Sequence, residues 1–176
     1  MKVSRLYAIV LVIIGSLVVL WNHGNRTRVC GSHHISESAS CSREGRLLQD
    51  ARRKCEMVLS HPSVRDTPWV RRARTQWDGS IHQLIDRGRA PAVTSNKTDI
   101  RVCLDSVSSD NALFFVTLHE LSHVAVDSYG HTPEFWRCFE AFLRAAIDMG
   151  IYVHDHRGEV CGSPLGQMPG ETRKEL

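Results

Sequence analysis

The run His119-Glu120-Leu121-Ser122-His123 constrains this chain more than any other feature. On a helix, residues four apart project from one face, so His119 and His123 can present two imidazoles to one divalent ion with Glu120 beside them. The flanking residues predict that helix. Ser109 or Asp110 supplies a cap, and Leu113, Val116, Leu118, Leu121 and Ala125 leave little polar surface. A helix buried on most sides must satisfy two histidines and a carboxylate at its centre, because an unpaired ionised carboxylate away from water is costly. A metal ion does so directly.

The helix is expected to stop near Tyr129-Gly130, where glycine takes the left-handed conformation that ends helices. His131 follows at once, and Thr132-Pro133-Glu134 reads as the start of a second helix, with Thr132 as cap and Pro133 in the first turn. His131 then sits in a corner between two helices, where it can fold back as a third ligand. Three protein ligands and one open position make the catalytic zinc pattern, whereas four closed ligands make a structural one. Taken singly, a histidine on an apolar helix face is more often a satisfied core residue, so the combination carries the reading. His154 and His156 form a His-Asp-His cluster that nothing places beside the helix. Glu140, on the second helix, is a fallback third ligand whose plainer reading is an exposed carboxylate.

The stretch from His119 to Trp136, HELSHVAVDSYGHTPEFW, resembles the SprT-like, WLM and YgjP-like zinc metallopeptidases. Members carry H-E-x-x-H, a short spacer and a histidine in a G-H-x-P-x-F-like or N-H-S-x-x-F-W-like segment, here Gly130 to Trp136. The resemblance implies His119, His123 and His131 as zinc ligands, Glu120 as general base, and a protein or peptide as substrate. The clear match covers under a fifth of the chain. Metzincin spacing does not fit, since Val126 and Tyr129 stand where a Gly and the third His belong.

Ahead of the domain, Leu6 to Trp21 is an uncharged apolar run of 16 residues between Lys2, Arg5 and Arg26. It is short for a relaxed span, and no small-x-small cleavage site closes it, so an uncleaved membrane anchor over residues 1–21 is expected. Flanking charges lean towards a cytoplasmic amino terminus, which puts the domain on the non-cytoplasmic side of a single-pass membrane protein. The sequons at Asn25 and Asn96 point the same way. So does the even count of six cysteines, Cys30, Cys41, Cys55, Cys103, Cys138 and Cys161, which allows disulfides. Cys55, Cys103 and Cys138 could equally be buried thiols.

Residues 22–42 read as a polar stalk, 43–165 as the metallopeptidase domain and 166–176 as a loose tail. Within the domain, Leu47, Leu48, Ala51, Cys55 and Val58 recur at helical spacing, which predicts a helix from Arg46 to Leu59, and a second starts at Thr67-Pro68. Trp77 to Leu104 carries Gly79, Gly88, Pro91 and Asn96 between short segments and predicts a small sheet, with Asp99 to Leu104 alternating as a half-buried strand. If that strand lies at the sheet edge beside the motif, it can hold an extended substrate by main-chain pairing. The last helix runs from Pro133 to Asp148, and Ile151-Tyr152-Val153 could return as a strand. Either Tyr129 or Tyr152 could supply a phenol to stabilise an oxyanion.

The basic run Arg52, Arg53, Lys54, Arg65, Arg71, Arg72 and Arg74 could contact phosphates, but such runs are usually solvated helix faces. Net charge is only +3, with Lys2 and Arg5 contributing two, so the domain is close to neutral and argues against a nucleic-acid partner. The expected architecture is therefore an α+β zincin-like domain: N-terminal helices, a small sheet and two metal-site helices behind a transmembrane helix. Its expected chemistry is peptide hydrolysis with Zn²⁺ and Glu120. Two alternatives stay open. One is a non-catalytic module stapled by zinc; the other is proteolysis of DNA–protein crosslinks of the Spartan kind.

Overall fold

In the computed structural model the chain runs through α1 (Arg43–Ser60), α2 (Pro68–Gln76), β1 (Ile81–Gln83), β2 (Ala92–Ser95) and β3 (Asp99–Val102). It continues through α3 (Asp110–Ala125), α4 (Pro133–Asp148), β4 (Glu159–Val160) and β5 (Ser163–Pro164). The structure describes residues 42–85, 90–154 and 158–165. Together these elements make a small α+β domain.

Helix α3 is the centre of the fold because its sequence leaves it no polar face. All residues from Ala112 to Ser122 are buried, and the helix packs against α1, α2 and α4 as well as β2, β3 and β4. Phe115 illustrates the packing: its ring lies 5.2 Å from that of Phe139 on α4 and 5.8 Å from that of Tyr152. Truncating a fully buried phenylalanine of this kind to alanine costs about 3 to 5 kcal/mol. Ser109 caps the helix, its side chain accepting from Ala112 N. Ser42, Thr67 and Thr132 cap α1, α2 and α4 in the same way, and Pro68 and Pro133 occupy first-turn positions.

The three-stranded sheet has the order β1-β3-β2, with β1 parallel and β2 antiparallel to β3. Ala92 pairs with Val102 and Ser95 with Asp99, so β2 and β3 form a hairpin. Its turn bonds Thr98 N to Ser95 O at 3.1 Å, with positive φ of 53° at Asn96 and 63° at Lys97. Two positive φ values match the primed hairpin turn, whose twist suits the flanking strands. Cys103, just after β3, forms a disulfide with Cys161 between β4 and β5, while Cys55 and Cys138 are buried free thiols.

Four expectations need correction. The first is the single-pass membrane protein: among the described residues no helix is long and apolar enough to cross a membrane. A span needs about 20 apolar residues. The most apolar helix, α3, has 16 residues and buries most of them against protein. The segment Leu6 to Trp21 itself lies outside the described residues, as do Asn25, Cys30, Cys41, His156 and the tail from Gly166. Second, α3 ends at Ala125, well before Gly130, because distant side chains satisfy its last carbonyls, as described below. Third, the strand around Ile100 is central, which leaves β2 at the edge. Fourth, Ile151 to Val153 is not a strand: the Asn111 side chain bonds both Val153 N and Val153 O, and Tyr152 is buried against Phe114 and Phe115.

The basic run is largely paired on the surface, through Arg52–Glu56, Arg53–Asp50, Lys54–Asp50 and Arg65–Asp66. Two members reach inward. Arg74 donates to Leu59 O at 3.1 Å, and Arg72 donates to Ala125 O at 3.3 Å while pairing with Asp127.

Candidate metal centre

His119 and His123 lie one turn apart on α3 and turn their rings towards His131, which precedes the cap of α4. One ligand atom from each of the three lies within 4.8 Å of the others, so the group could hold a metal ion. His119 Nε2 is 2.9 Å from His131 Nε2. Two nitrogens bound to one tetrahedral zinc stand about 3.3 Å apart, so the pair is already on the scale of a shared ion.

Protonation states favour the same use. Burial lowers the His119 pKa to about 3, helped by His123 and His131. Burial, then His131 and Lys97, lowers His123 to about 4, and burial also lowers His131. All three rings are therefore neutral near pH 7, which metal ligation requires. His119 Nδ1 is buried with no hydrogen-bond partner among the described residues. Neutral imidazoles whose ring nitrogens converge, with His119 Nε2 and His131 Nε2 2.9 Å apart, could hold a metal ion.

Aromatic rings hold the histidines in place. His123 stacks on Phe135 at 4.2 Å and His131 on Trp136 at 5.2 Å, while His119 sits edge-on to Phe135 and Phe139 at 4.9 and 5.3 Å. All three aromatic residues belong to α4, so the helix that follows the third histidine also backs the first two.

Glu120 is only 7% exposed, and the Thr94 hydroxyl donates to its Oε2 at 2.7 Å, lying 3.0 Å from its main-chain oxygen. Burial raises the Glu120 pKa to about 7, opposed by the Thr94 hydrogen bond. The carboxyl group and the histidines line one cavity of about 450 Å³, walled by Pro91, Ala92, Val93 and Val116 and bordered by Lys97 and Tyr129.

Of the other candidates, Glu140 pairs with Arg144 at 2.7 Å and does not join the histidine group. His154 is exposed and lies beside Tyr152. Tyr152 is 2% exposed in the core, whereas Tyr129, 82% exposed, lies at the cavity rim. Sequence reasoning missed Thr94 and Lys97. The only local signal for either was their place around the Asn96 turn.

No protein-family model matches the chain, and no solved structure matches it. The chain is 42% identical over 66 residues to an uncharacterized protein of Invertebrate iridescent virus 6, covering 34% of this chain and 37% of that one. It is 35% identical over 93 residues to an uncharacterized protein of Acanthamoeba polyphaga mimivirus, covering 47% of each. A further uncharacterized protein, of Invertebrate iridescent virus 3, is 41% identical over 64 residues, covering 34% of this chain and 40% of that one. The chain thus spans less than half the length of each of these relatives. Fold and site together define a small α+β domain with a three-histidine group suited to a metal ion.

Proposed function

We propose that the domain is a zinc-dependent peptidase in which Glu120 is the general base. The observation that carries this reading is the shared cavity. Glu120, buried and held by Thr94, opens onto the same space as His119, His123 and His131. A site that only braced the fold would have no use for a carboxyl group beside its ligands. Three imidazoles with an open position suit Zn²⁺ better than Mg²⁺ or Ca²⁺, which prefer oxygen. Bound zinc supplies a Lewis acid for the scissile carbonyl and lowers the pKa of water.

The chain's own residues supply the rest. Glu120, held by Thr94 in the same cavity, takes a proton from the attacking water and passes it to the leaving amine. Strand β2 borders the cavity with Ala92, Val93 and Thr94, just after Pro91, and its outer edge carries no partner strand among the described residues. An extended peptide laid along that edge brings a main-chain carbonyl to the histidines. Pro91, Ala92, Val93 and Val116 then offer an apolar wall to one of its side chains.

A second reading, a non-catalytic zinc staple, draws support from the ligands' placement, since His119 and His123 on α3 and His131 before α4 would be joined by one ion. Metal content and proteolysis decide. The purified protein is expected to hold about one zinc per chain and to cleave a casein-type substrate, losing both in a His119→Ala, His123→Ala variant. Zinc-free wild type after zinc exposure, or unchanged zinc in the double variant, would overturn the metal assignment. Zinc without proteolysis would favour the staple.

A further inference from the structure

Helix α3 ends without the usual main-chain solution. The last carbonyls of a helix need donors from outside it, and a glycine in left-handed conformation commonly supplies them through the following N–H groups. Here the C-cap is Val126, in extended conformation, and Gly130 with φ of 73° lies beyond, next to His131. Two cations from elsewhere in the chain take the carbonyls instead. Arg72 donates to Ala125 O. Lys97 donates to His123 O at 2.9 Å, to Val126 O at 3.0 Å and to Ser128 O.

Those three acceptors use every proton of the Lys97 ammonium. They also span the end of α3 and the loop that leads to His131. Lys97 Nζ further sits 4.8 Å from the centre of the Tyr129 ring, over its face. Ser128 Oγ lies 2.7 Å from Thr132 Oγ1, and Thr132 caps α4. The loop is thereby fixed on both sides of His131. His131 needs this support, because it is exposed, stacks on Trp136 and faces the His119 imidazole.

The geometry points to Lys97 as a positioning residue for His131: its ammonium, carried on the β2–β3 turn, sets the loop that delivers the third ligand. The positive φ of Asn96 and Lys97 aims that side chain back across the end of α3. Thr94, three residues earlier on the same hairpin, bonds Glu120. One hairpin thus steadies both the carboxyl group and the third histidine. This inference rests on the metal-site reading above.

The test uses the full chain and measures zinc affinity by competition with a chromophoric chelator. Lys97→Met is expected to weaken zinc binding by about tenfold or more, the usual effect of removing a group that orients a ligand. Lys97→Arg, which keeps charge and several donors, is expected to restore most of it. Should Lys97→Met fail to fold, Lys97→Gln, which loses the charge and one of the three donors, carries the same comparison. In a His131→Ala background the Lys97→Met loss is expected to shrink to the part carried by its bond to His123 O, because its route through the third ligand is gone. A general loss of folding would instead add to the His131→Ala loss, and additive losses would overturn the inference. So would wild-type affinity in Lys97→Met or Lys97→Gln. If wild type itself binds no zinc, the metal-site reading falls and takes this inference with it.

Discussion

The Thr94 hydroxyl donates to Glu120 Oε2 across 2.7 Å, tying the edge strand β2 to the centre of α3. This hydrogen bond is the one influence that lowers the Glu120 pKa against the burial that raises it to about 7. Thr94→Val keeps the shape and removes the donor, so the Glu120 pKa is expected to rise. The lower limb of the pH profile of kcat/KM should shift upward, and stability should fall by about 1 to 3 kcal/mol as a buried carboxyl group loses its partner. Thr94→Ser should stay close to wild type. An unmoved limb in Thr94→Val would show that this bond does not tune Glu120.

The metal-free protein should have a pH optimum of stability set by the site. His119 and His123 have folded pKa values of about 3 and about 4 against an ordinary 6.5, so their contribution is full above pH 6.5 and is lost as pH falls towards those values. Glu120 runs the other way: raised from 4.5 to about 7, its contribution is full below pH 4.5 and is lost as pH rises through 7. Between pH 4.5 and 6.5 unfolding takes up two histidine protons and releases one from Glu120, and His131 adds to the uptake. Urea midpoints measured with a chelator present should therefore rise from pH 4.5 to 6.5. A flat or falling series would contradict the assigned protonation states.

The cysteines divide by environment. Burial raises the Cys55 and Cys138 thiols far above their ordinary value, so neither should react with a thiol reagent until the protein unfolds. Cys103 and Cys161 are 58 residues apart in sequence, and closing a loop of that length limits the unfolded chain by about 4 kcal/mol at most. A Cys103→Ser, Cys161→Ser variant is expected to lose about 2 to 4 kcal/mol in a denaturant titration. Rapid labelling of Cys55 in the folded protein would show that the core around α1 is looser than described.

What the sequence could reveal followed from range. Ser109, Thr132 and Pro133 act on residues within one turn, so α3 and α4 could both be started correctly from local chemistry. The pairing of His119 with His123 depends only on the helical repeat. The end of α3 depends on Lys97 and Arg72, which come from the hairpin turn and from α2, and no local pattern announces either. Strand order was hidden for a similar reason: β1 pairs parallel to β3 and leaves β2 outside, so alternation in Ile100 and Val102 indicated a strand but not its place. Tyr152 and Tyr129 looked alike as phenol donors, yet packing against Phe114 and Phe115 puts one in the core. Six cysteines allow many pairings, and the Cys103–Cys161 bond needed the fold to bring β3 beside the β4–β5 turn.

The most direct test of the central claim compares wild type with Glu120→Gln, which keeps the size and hydrogen bonding of the side chain but removes the base. Both proteins are loaded with zinc and assayed on the same peptide substrate, with zinc content and melting temperature measured alongside. The account predicts that Glu120→Gln keeps its zinc and its fold while turnover falls by about 10² to 10⁴-fold. Equal cleavage rates in the two proteins would contradict it.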